Sequence, residues 1–382
     1  MPASPPGEGP RRSRSVLGPG PGAYHLNFNL NAGTEAIRDG EKRSVIIYGV
    51  AIQGTGWVAS AHLEAARSDP RCRVVAVGGS SVDSASRFCA DNGLDAAAYG
   101  RIEDLLADSA VDVVVLATPN DLHASETVLA AQAGKHILIE KPAALDTESL
   151  DRAVQAVAAA GVTTLVGFVL HWNPMFDLIR AQIDKGLLGR IFYGEINYWH
   201  EVGDWYSGFA WAKTRAAGGN ALLCAGCHAV DALRFFTGSD IAALSALATR
   251  DGTAHEYPST TVFVCELASG AIGKVSASLG ARMPYQFDVD LLGTEGSVRN
   301  NRLYSRQLPG LQGFVEFPVE RPDSADVVSH PFTGELGHLF DCLDEGTDSK
   351  LNLAGTVNTH HACIAAEISA SEGGCRVELP LA

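Results

Sequence analysis

From residue 44 the chain alternates short apolar runs with helix-patterned segments, and this alternation constrains its fold more than any other feature. SVIIYGVAIQ (44–53), RVVAVGG (73–79), VDVVVLATPN (111–120) and HILIEKP (136–142) are apolar enough to be strands buried on both faces. Between them GTGWVASAHLEAARSDP, SVDSASRFCADNG, IEDLLADSA and DLHASETVLAAQAGK read as helices, the last with Asp121 as its predicted N-cap and Gly134 after its final turn. Strand and helix at this rhythm require a parallel sheet with helices on both faces. Ligands of such sheets sit at the carboxyl ends of the strands.

The first of those ends carries Gly54-Thr55-Gly56-Trp57-Val58-Ala59, a G-x-G-x-x-A turn that follows a strand and opens a helix. The glycines permit a tight turn and let a pyrophosphate approach the backbone at a helix N-terminus. A plain strand-to-helix turn is the bland alternative. The second strand ends in Gly78-Gly79-Ser80-Ser81 with no acid to grip ribose hydroxyls; Asp83 is the nearest. Small hydroxyl residues there suit a 2′-phosphate, with Arg87 in reach, so NAD and NADP both stay open.

Composition narrows the class. The 382 residues exceed one ordinary core, so two domains are expected, and 46% hydrophobic with 19% charged residues is globular. Forty-four acidic against 29 basic residues give a net charge of −15, which repels phosphate backbones and argues against nucleic acid. No uncharged apolar stretch is long enough to span a bilayer. Residues 1–43, rich in Pro, Gly, Ser and Arg, read as a disordered arm; Arg11-Arg12 lacks a following apolar segment of the kind export needs. The expected location is cytoplasmic, with the eight cysteines as reduced thiols.

Glu140-Lys141-Pro142, TPNDLH (118–123) and GGNALLCAGCHAVD (218–231), taken with the glycine turn, resemble the glucose–fructose oxidoreductase/inositol dehydrogenase (Gfo/Idh/MocA) family over residues 44–382. The resemblance implies an α/β Rossmann domain at 44–160. It is followed at 161–382 by an α+β domain with a large, mainly antiparallel sheet, whose last helices are candidates to pack back on the first domain. It also implies oxidation or reduction of one carbinol carbon of a sugar, cyclitol or related compound with NAD or NADP, in a homo-oligomer (dimer or tetramer). Two alternatives accompany it: an NAD-dependent glycoside hydrolase or lyase using transient oxidation, and a non-catalytic dinucleotide sensor.

Hydride transfer from a carbinol needs a base for the hydroxyl proton and a positive group beside the developing alkoxide. The resemblance places Lys141 and His228 in those roles. It places the cofactor against Gly54, Gly56, Trp57, Val58, Ser80, Ser81, Thr118, Pro119, Asn120, His123, Glu140 and Lys141. Substrate contacts are expected from Trp172, Tyr198, His200, Asp204, Cys224 and His228, helped by the aromatic run at 198–211 that suits a sugar's C–H face. Core packing explains that run equally well. The family commonly has Asp where Cys224 stands, so no carboxylate pairs with His228 from that side; Asp231, Glu201 or Asp204 are the substitutes the sequence offers.

Cys224-Ala225-Gly226-Cys227-His228 also spells C-x-x-C-H, the spacing of covalent haem attachment. Its place inside the oxidoreductase pattern, and the lack of an export signal or second axial ligand, weigh against haem and against a redox disulfide. Tandem His360-His361 has no acid or Cys at ligand spacing and reads as a solvated helix, so no metal is expected.

Overall fold

The computed structural model describes residues 46–322 and 330–381, so the expectation for residues 1–43 lies outside the described residues. The parallel sheet has six strands: β1 (Tyr48–Gln53), β2 (Cys72–Gly78), β3 (Ala97–Tyr99), β4 (Val113–Leu116), β5 (His136–Ile139) and β6 (Thr164–Val166), of which β1, β2, β4 and β5 are those the alternation predicts and β3 and β6 are additional. Their order is β3-β2-β1-β4-β5-β6. Helices α1 (Trp57–Ser68), α2 (Val82–Asp91), α3 (Ile102–Leu106), α4 (His123–Gln132) and α5 (Thr147–Ala160) make the crossovers. The central strands are fully buried because helices cover both faces; Val113, Val114 and Leu116 have no exposed surface. Helix α4 starts two residues after the predicted cap: Leu122 N–H bonds Pro119 O in a turn, so Leu122 and not Asp121 precedes the helix.

The apolar run VTTLVGFVLHWNP (162–174) has the composition of one long strand but contains only three strand residues. β6 belongs to the parallel sheet, so that sheet extends past residue 160; the chain then makes a 3₁₀ turn over Val169–Trp172. Helix α6 (Pro174–Asp184), with Asn173 as N-cap and Pro174 at its first position, leads into the second half.

There β7 (Ile191–Trp199), β8 (Ile241–Thr249), β9 (Thr260–Leu267), β10 (Ile272–Ser278), β11 (Gln286–Gly293), β12 (Gly296–Arg299), β13 (Arg302–Ser305), β14 (Val315–Glu316) and β15 (Val377–Glu378) form a nine-stranded sheet. Its pairings are antiparallel except β7–β10. Between β7 and β8 lie α7 (Phe209–Ala212), α8 (Arg215–Gly218) and α9 (Cys227–Thr237); α10 (Phe332–Glu345) and α11 (Val357–Ser371) follow β14. Ile196, Tyr198, Phe263, Val275, Phe287 and Val289 alternate onto one buried face, against which α9 packs Leu233 and Phe236. Gly226 permits this close approach, since a Cβ there would meet the Ala277 Cβ at 2.5 Å.

The closing helices hold the two halves together. Arg71 pairs with Asp341 (2.7 Å) and Asp344 (3.0 Å) of α10, and the Phe332 ring meets His62 of α1 edge-on at 4.9 Å. The solvated reading of His360-His361 is overturned: both are buried, His360 without any exposed surface. His360 donates through Nδ1 to Thr356 O (2.9 Å) and accepts the Ala143 N–H at Nε2 (2.8 Å). His361 accepts the Leu381 N–H at 3.1 Å. Both imidazoles serve as backbone crosslinks, and for His360 the two bonds satisfy both ring nitrogens.

Candidate active site

A cleft of ≈ 880 Å³ opens where β1, β2, β4 and β5 end, and the segments after β7 and before α10 wall its far side. At its nucleotide end Gly54 closes β1 with φ 126°, and a Cβ there would run into the Ala117 carbonyl oxygen beside it. Gly56, by contrast, faces open space: nothing lies within 4 Å of its Cβ position. It precedes α1 without any side-chain cap, so the helix's first amides remain for an anion. These residues fit a dinucleotide pyrophosphate, and Trp57, Val58, Ser80, Thr118, Pro119, Asn120 and His123 line the same stretch.

Two buried devices shape this end. Glu126 accepts from Gln53 Nε2 (2.9 Å) and Thr118 Oγ1 (2.6 Å); burial pushes its carboxyl up against those hydrogen bonds. His123 sets its ring nitrogens 2.7 Å from Pro142 O and 2.8 Å from Thr118 O, tying the turn after β4 to that after β5. Burial pulls its pKa down, and the two carbonyl contacts oppose the fall.

At the far end of β5, Glu140 is buried with both oxygens engaged. Oε1 lies 2.8 Å from His62 Nε2, and Oε2 accepts the Lys141 backbone N–H at 3.1 Å. Burial would raise this carboxyl, but the His62 hydrogen bond and the charges of His62 and Lys141 outweigh it and hold it below the ordinary range. Lys141 turns its side chain the other way, into the cleft, where Nζ donates to Cys224 O at 3.2 Å.

That carbonyl belongs to a π-helical turn, Leu222–Gly226, which delivers Cys224 and His228 to the cleft wall. His228, in the first turn of α9, is 7% exposed, and its Nδ1 is buried without a partner. Burial first, then the charge of Lys141, drive its pKa well below 6.5, so the ring is neutral. Tyr198, His200, Val202, Trp205, Tyr206 and Trp211 wall the substrate side, joined by His330 and Phe332. Burial, helped by Lys141, takes both His200 and His330 down to about 4.

Several expected residues lie elsewhere. Trp172 packs over Gly334, with Lys350 Nζ 4.5 Å from its ring centroid, and is not among the cleft residues. Asp204 and Glu201 are exposed and do not line the cleft. Ser81 caps α2 by accepting from Ser84 N, so only Ser80 of that pair borders the nucleotide end. Asp231 cannot orient His228, because it holds His171 at 2.6 Å and Thr359 at 3.4 Å. Cys224 and Cys227 are free thiols, both pushed up by burial, Cys227 to about 12. Among the described residues no group of three or more His, Cys, Asp or Glu side chains is placed to hold a metal.

Three groups in the cleft wall or buried behind it are not marked by the sequence. His62 and Glu126 act through residues 78 and 73 positions away, and His330 follows a segment with no periodic signal; nothing local in the sequence marks them.

A parallel sheet with an anion-ready glycine turn, opening on a cleft shared with a broad antiparallel sheet, defines a nicotinamide-dependent oxidoreductase. The chain belongs to the Gfo/Idh/MocA family: residues 48–168 match its "Oxidoreductase family, NAD-binding Rossmann fold" and residues 176–299 its "GFO/IDH/MocA C-terminal domain". It is 25% identical to scyllo-inositol 2-dehydrogenase (NAD(+)) of Bacillus subtilis, over 81% of this chain and 90% of that one. It is 28% identical to inositol 2-dehydrogenase of Rhizobium meliloti, over 70% and 80% respectively. Its fold matches a levoglucosan dehydrogenase in complex with NADH and L-sorbose, at TM-score 0.79 and 22% identity, over 88% of this chain and 100% of that one.

Proposed function

We propose that this protein moves a hydride between a nicotinamide cofactor and one carbinol carbon of a sugar, cyclitol or glycoside. The observation that carries the reading is the convergence of Lys141 and His228 on the cleft beyond the glycine turn, bridged by the 3.2 Å contact from Lys141 Nζ to Cys224 O. NAD or NADP, when bound, supplies the hydride acceptor. The Lys141 ammonium lowers the pKa of a substrate hydroxyl and stabilises its developing alkoxide. His228 is neutral and therefore free to take the hydroxyl proton. Burial makes it a weak base by itself; the negative charge growing beside it raises its proton affinity during the step. Glu140, held by His62, fixes the backbone from which Lys141 projects.

The relatives named above are inositol dehydrogenases, which supports the substrate class. No observation favours the eliminating hydrolase or the sensor over this reading. The test is turnover by purified protein with NAD+ and NADP+ across sugars, cyclitols and glycosides, followed by absorbance of the reduced nicotinamide. Lys141→Ala is expected to lower kcat/KM by roughly 100-fold or more. Unchanged turnover in that variant sinks the assignment.

The same reading makes the protein a cytoplasmic homo-oligomer. Leu247, Val264 and Ile272, 55–68% exposed, share the outer face of the nine-stranded sheet, and a second copy is the occupant this face suits. Light scattering showing a monomer at micromolar concentration would rule this out.

A further inference from the structure

The substrate half of the cleft is rich in hydrogen-bond donors and, among the described residues, has no carboxylate to balance them. Lys141 and Glu140 are, among the described residues, the only Asp, Glu, Lys or Arg side chains lining the cleft. Both Glu140 oxygens are already engaged, by His62 and by the Lys141 backbone. Among the described residues, the hydrogen-bond partner of Lys141 Nζ is a neutral carbonyl, that of Cys224. Burial pushes the Cys224 thiol pKa up, so it brings no charge. Among the described residues, Asp231 is spent on His171, Glu201 and Asp204 lie on the exposed surface, and burial beside Glu140 drives the Glu335 carboxyl toward its neutral form.

Around this unbalanced ammonium stand three imidazoles, His200, His228 and His330, each feeling its charge. Tyr285 fills the gap behind them, its ring 5.2 Å from His200 and 6.0 Å from His330. It is 1% exposed, and among the described residues neither its hydroxyl nor His228 Nδ1 has a partner. Buried donors without acceptors are costly unless a ligand supplies the acceptor. A positive site walled from water amplifies attraction to a negative group.

Building on the oxidoreductase reading, we infer that the substrate is a polyhydroxylated carboxylic acid, such as a uronate or aldonate. Its carboxylate takes one Lys141 N–H together with His200 and His330; a second Lys141 N–H stays on the carbinol oxygen, which faces His228, and the third is the one on Cys224 O. Imidazoles beside a bound carboxylate gain proton affinity and become further donors to it. A monoanion matches one ammonium better than a phosphate dianion does.

The test compares substrates that differ only in this group: D-glucuronate with D-glucose, D-galactonate with galactitol, and glucose 6-phosphate as a separate arm. The acids are expected to show kcat/KM roughly tenfold or more above their neutral partners. Cys224→Asp places a carboxylate beside Lys141 and is expected to abolish or invert that ratio. Cys224→Asn, neutral and of similar size to Asp, is expected to keep it, and NADH binding reports folding of both variants. Turnover with neutral partners equal or preferred, or with the sugar phosphate preferred, overturns the inference and leaves the oxidoreductase reading standing. A preference unchanged in a folded Cys224→Asp protein also overturns it. NADH binding without turnover in any arm defeats the oxidoreductase reading, and this inference with it.

Discussion

His62 Nε2 lies 2.8 Å from Glu140 Oε1 at the floor of the cleft, joining α1 to the end of β5 immediately before Lys141. Both side chains are nearly sealed from water, at 0% and 8% exposure. Removing one member of such a pair strands the other's polar group. His62→Ala is therefore expected to cost about 3–5 kcal/mol in denaturant unfolding. The double variant His62→Ala/Glu140→Gln, with no buried carboxylate left unpaired, is expected to cost less than the single one. A single variant as stable as the parent would show that the pair contributes nothing.

Gly54 and Gly56 stand two residues apart and are expected to fail differently. Gly54→Ala forces a side chain to φ 126° and into the Ala117 carbonyl, so it is expected to lower stability by about 1–3 kcal/mol. Gly56→Ala meets nothing and is expected to fold normally. Its methyl would occupy the space a pyrophosphate needs, raising the NADH Kd on the order of tenfold, or about 1.4 kcal/mol. Thermal melts and NADH fluorescence titration separate the two. Equal effects of both substitutions on both measurements would contradict the assigned geometry.

What the sequence revealed was local. The strands β1, β2, β4 and β5, the glycine turn and the E-K-P ending are fixed by neighbours in the chain and lie where the sequence places them, whereas the three-residue strands β3 and β6 are too short to carry a signal as members of that sheet. Lys141 and His228 sit in short motifs at element ends, and the structure brings both to the cleft. Features fixed by distant partners were invisible. Trp172 was read with the aromatic set, yet it is packed by Gly334 and Lys350 from beyond residue 330. His360 and His361 look polar in isolation and are buried by backbone groups at Ala143 and Leu381. Asp231 shares a helix with His228 but is claimed by His171, 60 residues earlier.

Acid should weaken the fold through the cleft imidazoles. His200 and His330 titrate near 4 in the folded protein, against 6.5 ordinarily, because burial and Lys141 oppose their charge. Below pH 6.5 the unfolded chain takes up protons that the native state refuses until about 4. Stability is therefore full above pH 6.5 and lost as pH falls through that window. Glu140, depressed below 4.5, adds to the loss in the same direction at still lower pH. Melting temperature is expected to fall steadily from pH 6.5 to 4.5, and to fall less in His200→Gln/His330→Gln. A flat profile in the parent protein would refute this.

Asp231 and His228, three residues apart on α9, are expected to divide structure from chemistry. His228→Asn removes the proton acceptor and is expected to lower kcat by about 10²- to 10⁴-fold while leaving NADH affinity unchanged. Asp231→Asn weakens the 2.6 Å bond to buried His171, at an expected cost of about 1.5–3 kcal/mol in stability. Because Asp231 makes no contact that orients His228, the pH profile of kcat/KM should be that of the parent in the surviving folded enzyme. A shifted profile in Asp231→Asn would mean that the carboxylate acts on the catalytic ring after all, through a rearrangement that brings it from His171 to His228.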